Sequence, residues 1–196
     1  MKIAEHFICT IFEYINKQLF FFMSKIEIRK ATISDLEIIQ EISKQTFTET
    51  FAAVNTPENM SNYIRENFNP EQMALEINNP ESAFYLAFLE NEIIGYLKIN
   101  FGNAQTEKQK EKTLEIHRIY VLHAFHGKRA GQLLLDEAIK IANQTGVDSV
   151  WLGVWEENHR ALQFYSKNGF VEFDQHVFTL GNDVQTDLLM QLKINN

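Results

Sequence analysis

The sequence predicts an α/β (α+β) domain in which a central sheet is flanked by helices, and three observations predict it. First, Leu114-Glu115-Ile116-His117-Arg118-Ile119-Tyr120-Val121 alternates like a strand, breaks at a short loop, and restarts as a helix, with Gly127 and Gly131 at the junction. Second, an alternating run at residues 26–30 and strand-like runs at 83–89, 93–100 and 147–155 are interleaved with stretches carrying apolar residues every three or four positions. Third, 196 residues with 45% hydrophobic and 22% charged side chains suit one domain with a sizeable core.

Taken in order, residues 1–22 place Ile8, Phe12, Ile15, Leu19 and Phe22 at helical spacing. Glu5, Glu13 and Lys17 interrupt that stretch, so it is too short an apolar run to span a membrane and lacks the plan of a signal peptide. We read it as an extension outside the domain, with Met23 as an alternative start; a helix packed on a partner or membrane surface is the other reading. Residues 26–30 form a first strand. Thr32-Ile33-Ser34-Asp35 reads as a capping box for a helix that buries Leu36, Ile39 and Ile42. Thr56-Pro57 opens a second helix with Met60, Tyr63, Ile64 and Phe68 on one side, and Asn69-Pro70 opens a third that Asn79-Pro80 ends. Two strands follow, joined by a tight turn at Glu90-Asn91, and then a polar loop at residues 102–112 expected to be exposed. The helix from about Lys128 to Asn143 buries Ala130, Leu134, Ala138 and Ile141. A strand over residues 147–155, a helix from Asn158 to Asn168-Gly169, and strands over residues 170–173, 176–180 and 187–194 close the chain, the last pair turning at Gly181-Asn182-Asp183.

Charge and cysteine content narrow the function. With 18 basic and 26 acidic side chains the net charge is −8, which repels nucleic acid and anionic membranes and attracts cations. The single cysteine, Cys9, rules out an internal disulfide and a cysteine zinc site, in keeping with a reduced cytoplasmic setting. His117, His123, His126 and His159 lack the spacing of a metal site, so none is expected. The strand-loop-helix junction is an anion site by construction, because the first N–H groups of a helix have no intrahelical partner and lie at the positive end of its dipole.

The run Trp151-Leu152-Gly153-Val154-Trp155-Glu156-Glu157-Asn158, followed by Ala161, Phe164-Tyr165 and Asn168-Gly169-Phe170, resembles the acetyl-CoA half of the GNAT superfamily of N-acetyltransferases. Residues 47–60 and 176–188 extend the likeness to bacterial spermine/spermidine acetyltransferases of the PaiA type, covering nearly all of residues 23–196. The resemblance implies a single N-acetyltransferase domain over that span. Its sheet would be mixed and mostly antiparallel, of six to seven strands. It further implies acetyl-CoA as cosubstrate, coenzyme A as product, a small polyamine as acceptor, and no nucleic acid or membrane partner; a homodimer is compatible with it. Alternatives are a protein or amino-sugar amine as acceptor, or a coenzyme-binding regulator without turnover.

The resemblance also assigns roles. Ile119, Tyr120 and Val121 would pair with the pantetheine arm, the Val121 N–H serving as oxyanion donor. The family loop Gln/Arg-x-x-Gly-x-Gly/Ala stands here as His126-Gly127-Lys128-Arg129-Ala130-Gly131. With Gln132, that loop would cradle the pyrophosphate, although its first position and its middle glycine both differ. Asn158 would hold the pantetheine region and Tyr165 would protonate the departing thiolate. Phe47, Glu49, Phe51, Glu58 and Tyr63 would contact the acceptor, although by residue type the aromatics also suit the core and the glutamates a solvated surface. An alkyl amine is neutral in only about one molecule in a thousand near neutral pH, so a base matters. Strand alternation puts Glu115, His117 and Ile119 on one face, and PaiA-type sequences usually carry glutamate where this chain has His117. Either Glu115 or His117 is the base on this reading.

Overall fold

The computed structural model describes residues 25–109, 112–180 and 183–194. The extension read at residues 1–22, Cys9, and Gly181 and Asn182 of the expected turn lie outside them. Among the described residues seven strands form one sheet in the order β1-β2-β3-β4-β5-β7-β6. They are β1 (Ile26–Lys30), β2 (Ser82–Leu89), β3 (Glu92–Asn100), β4 (Thr113–Val121), β5 (Ser149–Trp155), β6 (Val171–Leu180) and β7 (Asp183–Lys193). Every neighbouring pair is antiparallel except β4 and β5. The helices are α1 (Leu36–Phe51), α2 (Pro57–Asn67), α3 (Pro70–Asn78), α4 (Ala130–Thr145) and α5 (His159–Lys167). Among the described residues no helix is long and apolar enough to cross a membrane.

Alternation gives each face of the sheet its own core. Leu97, Ile99, Leu114 and Ile116 pack under α4 with Leu134, Ala138 and Ala142, while Phe84, Leu86 and Tyr96 pack under the first three helices with Ile39, Phe47, Met60 and Met73. Proline starts α2 and α3, whose N-caps Thr56 and Asn69 accept the N–H groups of Asn59 (3.2 Å) and Gln72 (2.8 Å).

Four local expectations change. Thr32 and Asp35 make a capping contact, Asp35 accepting the Thr32 N–H at 2.8 Å, but they enclose a 3₁₀ turn that precedes α1. The expected strands at residues 170–173 and 176–180 are one strand, β6, bulged between Glu172 and Asp174. The helix expected from Lys128 starts at Ala130, because Gly127 and Arg129 both adopt positive φ, and it ends at Gly146 in the left-handed region. Part of the polar loop is tied down: the Gln105 side-chain oxygen accepts from Thr113 Oγ1 and Trp151 Nε1, both at 2.7 Å.

Two irregularities in the sheet shape the site. β4 and β5 pair only through Thr113, Leu114 and Glu115, so the two strands part beyond that point. On its other edge β4 carries a bulge: Ile116 pairs with Ile99 and Arg118 with Lys98, leaving His117 as the extra residue. The alternation expected to put Glu115, His117 and Ile119 on one face is thereby broken. Ile119 and Val121 join Leu114 and Ile116 against the α4 core, while Tyr120 belongs to the core beneath the first three helices.

Candidate active site

The parting of β4 and β5 opens a cleft of about 900 Å³. Its floor is set by backbone direction. The Leu122 N–H donates to Ile94 O at 2.9 Å, so by alternation the N–H groups of Ile119 and Val121 point away from β3 and into the gap. At one end of the gap lies the start of α4. Its first intrahelical bond runs from the Leu133 N–H to Arg129 O at 3.0 Å, which leaves the N–H groups of Ala130, Gly131 and Gln132 without a helical acceptor. Arg129 caps this helix with φ of 67°, a left-handed conformation that normally favours glycine. A β-carbon added at Gly127 would meet nothing within 4 Å, so the turn is open to a ligand. His126 holds the loop: its Nε2 donates to Val121 O at 2.8 Å and its Nδ1 accepts from Arg160. Burial lowers the pKa of its ring.

Opposite this loop, Asn158 caps α5, its side-chain oxygen accepting the Ala161 N–H at 3.2 Å. Tyr165 lines the cleft from the same helix with its ring against Phe164 and Phe170, and burial pushes its phenol pKa upward. The phenol therefore keeps its proton at neutral pH and is present as a proton donor.

At the other end the walls are aromatic. Phe47 stacks on Tyr63 with centroids 4.3 Å apart, Phe51 leans on Phe47, and Phe68 meets both Phe47 and Tyr63 edge-on. Glu49 also lines the cleft, but its oxygens are engaged by the His123 N–H (2.8 Å) and Gln45 Nε2 (3.1 Å). It fastens α1 to the turn after β4. Two expected contacts fall outside: Glu58 is exposed on α2, and Lys128 turns its ammonium to 4.6 Å from the Phe125 ring centroid. Neither lines the cleft, whereas every other residue expected to bind cosubstrate or acceptor does.

The two candidate bases differ in circumstance. Glu115 is buried and spoken for: Oε2 accepts from Asn100 Nδ2 (2.9 Å) and the Thr106 N–H (3.0 Å), and Oε1 accepts from Thr106 Oγ1 (2.5 Å). His117 lines the cleft from the bulge with its buried Nδ1 unpaired among the described residues. Burial, reinforced by the charges of Arg118 and Lys98, holds its imidazole well below the usual histidine pKa. It is neutral near pH 7, with a lone pair available.

Several charged residues at the site escaped the sequence. Arg118 lines the cleft and Lys98 lies behind it, both paired to one carboxylate oxygen of Glu76 at 2.9 and 2.8 Å. Arg160, His176 and Asp187 also line it, and His176 bridges Glu107 (2.5 Å) and Asp187 (3.6 Å). Burial pushes the Asp187 carboxyl pKa upward, partly offset by His176. Only the strand period placed Arg118 in the sequence; its partner Glu76 lies 42 residues away on α3, which no local pattern reveals.

A family model described as the acetyltransferase (GNAT) family matches residues 39–170. The chain belongs to that family. This GNAT protein is 36% identical over 169 residues to an uncharacterized N-acetyltransferase of Lactobacillus delbrueckii subsp. lactis, covering 86% of this chain and 98% of that one. It is 32% identical over 149 residues to the spermidine N(1)-acetyltransferase of Thermoplasma acidophilum, covering 74% of this chain and 88% of that one. Its fold matches the crystal structure of a PaiA N-acetyltransferase from Thermoplasma acidophilum in complex with coenzyme A, with a TM-score of 0.71, 30% identity, and coverage of 87% and 99%. As a GNAT enzyme the chain is an acetyl-CoA-dependent N-acetyltransferase. The outward N–H groups of the parted strand and the free N–H groups at the start of α4 are the donor set that a pantetheine arm and a pyrophosphate call for.

Proposed function

We propose that the acetyl acceptor is a primary amine of a polyamine such as spermidine or spermine. The observation that carries this is the 32% identity to a spermidine N(1)-acetyltransferase across 88% of that protein. The net charge of −8 and the Asp187 carboxylate in the cleft wall support it.

Acetyl-CoA supplies an activated thioester carbonyl. The backbone of Ile119, Tyr120 and Val121 orients the pantetheine arm, the loop from His126 to Gln132 holds the pyrophosphate, and Asn158 borders the arm from α5. Lys128 contributes only long-range charge. Phe47, Phe51 and Tyr63 exclude water from the acceptor and position its carbon chain. His117 takes the proton lost by the attacking nitrogen, while Glu115 holds the loop at Thr106 in place. The nitrogen lone pair forms the new N–C bond as the C–S bond breaks. The Val121 N–H stabilises the carbonyl oxygen that gains charge, and the Tyr165 hydroxyl protonates the departing sulfur.

Turnover measured on a panel of spermidine, spermine, monoamines of matched length, lysine peptides and aminoglycosides tests the acceptor. Polyamines should give the highest kcat/KM. Preference for peptides or amino sugars would reassign the acceptor, and acetyl-CoA binding without transfer to any amine would make the protein a regulator.

A further inference from the structure

One residue of the cleft floor has no side chain. Gly153 lies in the middle of β5, lines the cleft and is exposed, whereas its neighbours Leu152 and Val154 are buried. Register fixes the way it faces. Across the β5–β7 ladder Gly153 stands opposite Leu189 and Trp155 opposite Asp187, and residues directly opposite share a face of the sheet. Trp155 meets Phe51 of α1, their ring centroids 6.2 Å apart, so this is the face roofed by the helices of the acceptor side. Leu152 and Val154 point the other way, into the core beneath α4. Between Trp151 and Trp155 the missing side chain therefore leaves a trough on the acceptor side of the sheet, away from the start of α4. Its outer wall is acidic: a β-carbon built on Gly153 would come 3.6 Å from Oδ2 of Asp187 and 3.6 Å from Cδ2 of Leu189. Those are ordinary contact distances, so a side chain would fit and would stand against the carboxylate. Nothing in the fold calls for glycine at this point, since its φ is not positive, β5 carries no bulge and no neighbour crowds the position. Glycine weakens the interior of a strand, and one without a bulge or bend to explain it marks where a ligand comes close to the backbone.

We propose that Gly153 is a specificity-determining residue: the carbon chain of the acceptor crosses its bare backbone, and a second ammonium group settles against the Asp187 carboxylate beside it. The proposal rests on the polyamine reading. Strand order supplies the path. The last paired residues of β4 and β5 are Glu115 and Trp151, and His117 and Gly153 each follow two positions later, at the opening of the gap. From a nitrogen at His117 on β4, the way to Asp187 on β7 leads over β5, and Gly153 is where β5 offers no obstacle. An unbranched chain in the trough gains apolar contact with Trp155 and Phe51 on one side. Any side chain at position 153 would fill the trough and cover the carboxylate, and the second charge would lose its partner.

Gly153→Val tests the proposal. Its kcat/KM for spermidine should fall about tenfold or more, carried by KM, as a filled pocket does for a substrate that no longer fits. For ethylamine, too short to cross the trough, kcat/KM should hold, as should coenzyme A affinity by calorimetry. Thermal denaturation should show no loss of stability, because valine suits a strand better than glycine. Gly153→Ala, which adds one carbon at contact distance, should fall between wild type and Gly153→Val. In an Asp187→Asn background, where the second contact is already gone, Gly153→Val should cost spermidine clearly less, a non-additivity that general distortion of β5 would not produce. An equal loss with ethylamine, additive losses in the double variant, or weakened coenzyme A binding overturns the proposal, the last by placing Gly153 on the path of the cosubstrate. A wild-type preference for polyamines that Gly153→Val and Gly153→Ala leave untouched sinks this proposal alone; a wild-type panel without that preference sinks it together with the polyamine reading.

Discussion

The side-chain amide of Asn100 donates to Oε2 of Glu115 at 2.9 Å, across the β3–β4 ladder and inside the sheet. Thr106 then closes over the same carboxylate from the loop. A carboxylate with three donors in place is a fastener. Glu115→Gln should therefore lower stability by about 1–3 kcal/mol, as expected for disrupting a buried charged hydrogen-bond network, and leave kcat within about tenfold of wild type where the variant is folded. His117→Ala should lower kcat by ~10² or more, the usual scale of general-base catalysis. Steady-state kinetics and thermal denaturation on both variants separate the two; the reverse pattern would make Glu115 the base.

Arg129 is the non-glycine residue that the coenzyme loop holds at φ 67°. The left-handed conformation costs about 1–2 kcal/mol for a residue with a β-carbon, and glycine gives back about 0.5–1 kcal/mol through its freer unfolded chain. Arg129→Gly should thus be at least as stable as Arg129→Ala in denaturant unfolding. Acetyl-CoA affinity by calorimetry should stay within about tenfold, because backbone donors do most of the holding. A hundredfold loss would make the guanidinium a principal phosphate ligand.

Stability should decline in two steps on acidification. The folded-state pKa of His117 lies well below its unfolded value of about 6.5. Between those values the unfolded chain binds a proton that the folded chain does not, so stability drops as pH falls below about 6.5. His117→Gln should flatten that step. Asp35 is pulled down to about 2, chiefly by its hydrogen bond from Arg29. Its contribution is complete above about pH 4 and is lost as pH falls towards 2. Because Arg29 is half exposed, the amount is about 1 kcal/mol. Urea unfolding at a series of pH values, with and without each substitution, reads both. Nor should His117 produce a catalytic limb near 6.5, where an ordinary histidine would put one.

Asp187→Asn should raise the KM for spermidine about tenfold while leaving that for a monoamine nearly unchanged, and salt should weaken spermidine binding as the Debye length shrinks from ~10 Å at 0.1 M to ~3 Å at 1 M. Equal effects on both acceptors would remove Asp187 from the recognition of a second charge.

The sequence was most legible where chemistry is local. The helix starts at Thr56-Pro57 and Asn69-Pro70, the turn at Glu90-Asn91 and the cap at Asn158 all follow from residue preferences over a few positions. Most of the coenzyme cleft was legible for the same reason: β4, its loop and the start of α4 are consecutive in the chain. The acceptor end was less so. The bulge at His117 depends on how β3 registers against β4, and alternation alone puts Ile119 on the wrong face. Glu115 looks like a free base until Asn100 and Thr106 are brought to it. The Glu76 triad and Asp187 arrive from separate elements, where a single sequence carries no spacing to find them.

The parting of β4 from β5 gives this sheet an interior margin, a row of unsatisfied N–H groups in its middle rather than at its rim. Exposed margins of that kind recruit passing polypeptide and seed aggregation. Here Phe47, Phe51 and Tyr63 on one side and Ala130 and Gly131 on the other recess the margin within the cleft. The groups that make the fold vulnerable are also those that make it a receptor, and occupancy by the cosubstrate completes the pairing that the chain leaves undone. Melting temperature should therefore climb with coenzyme A concentration, and slowed amide exchange should concentrate at Ile119 and Val121.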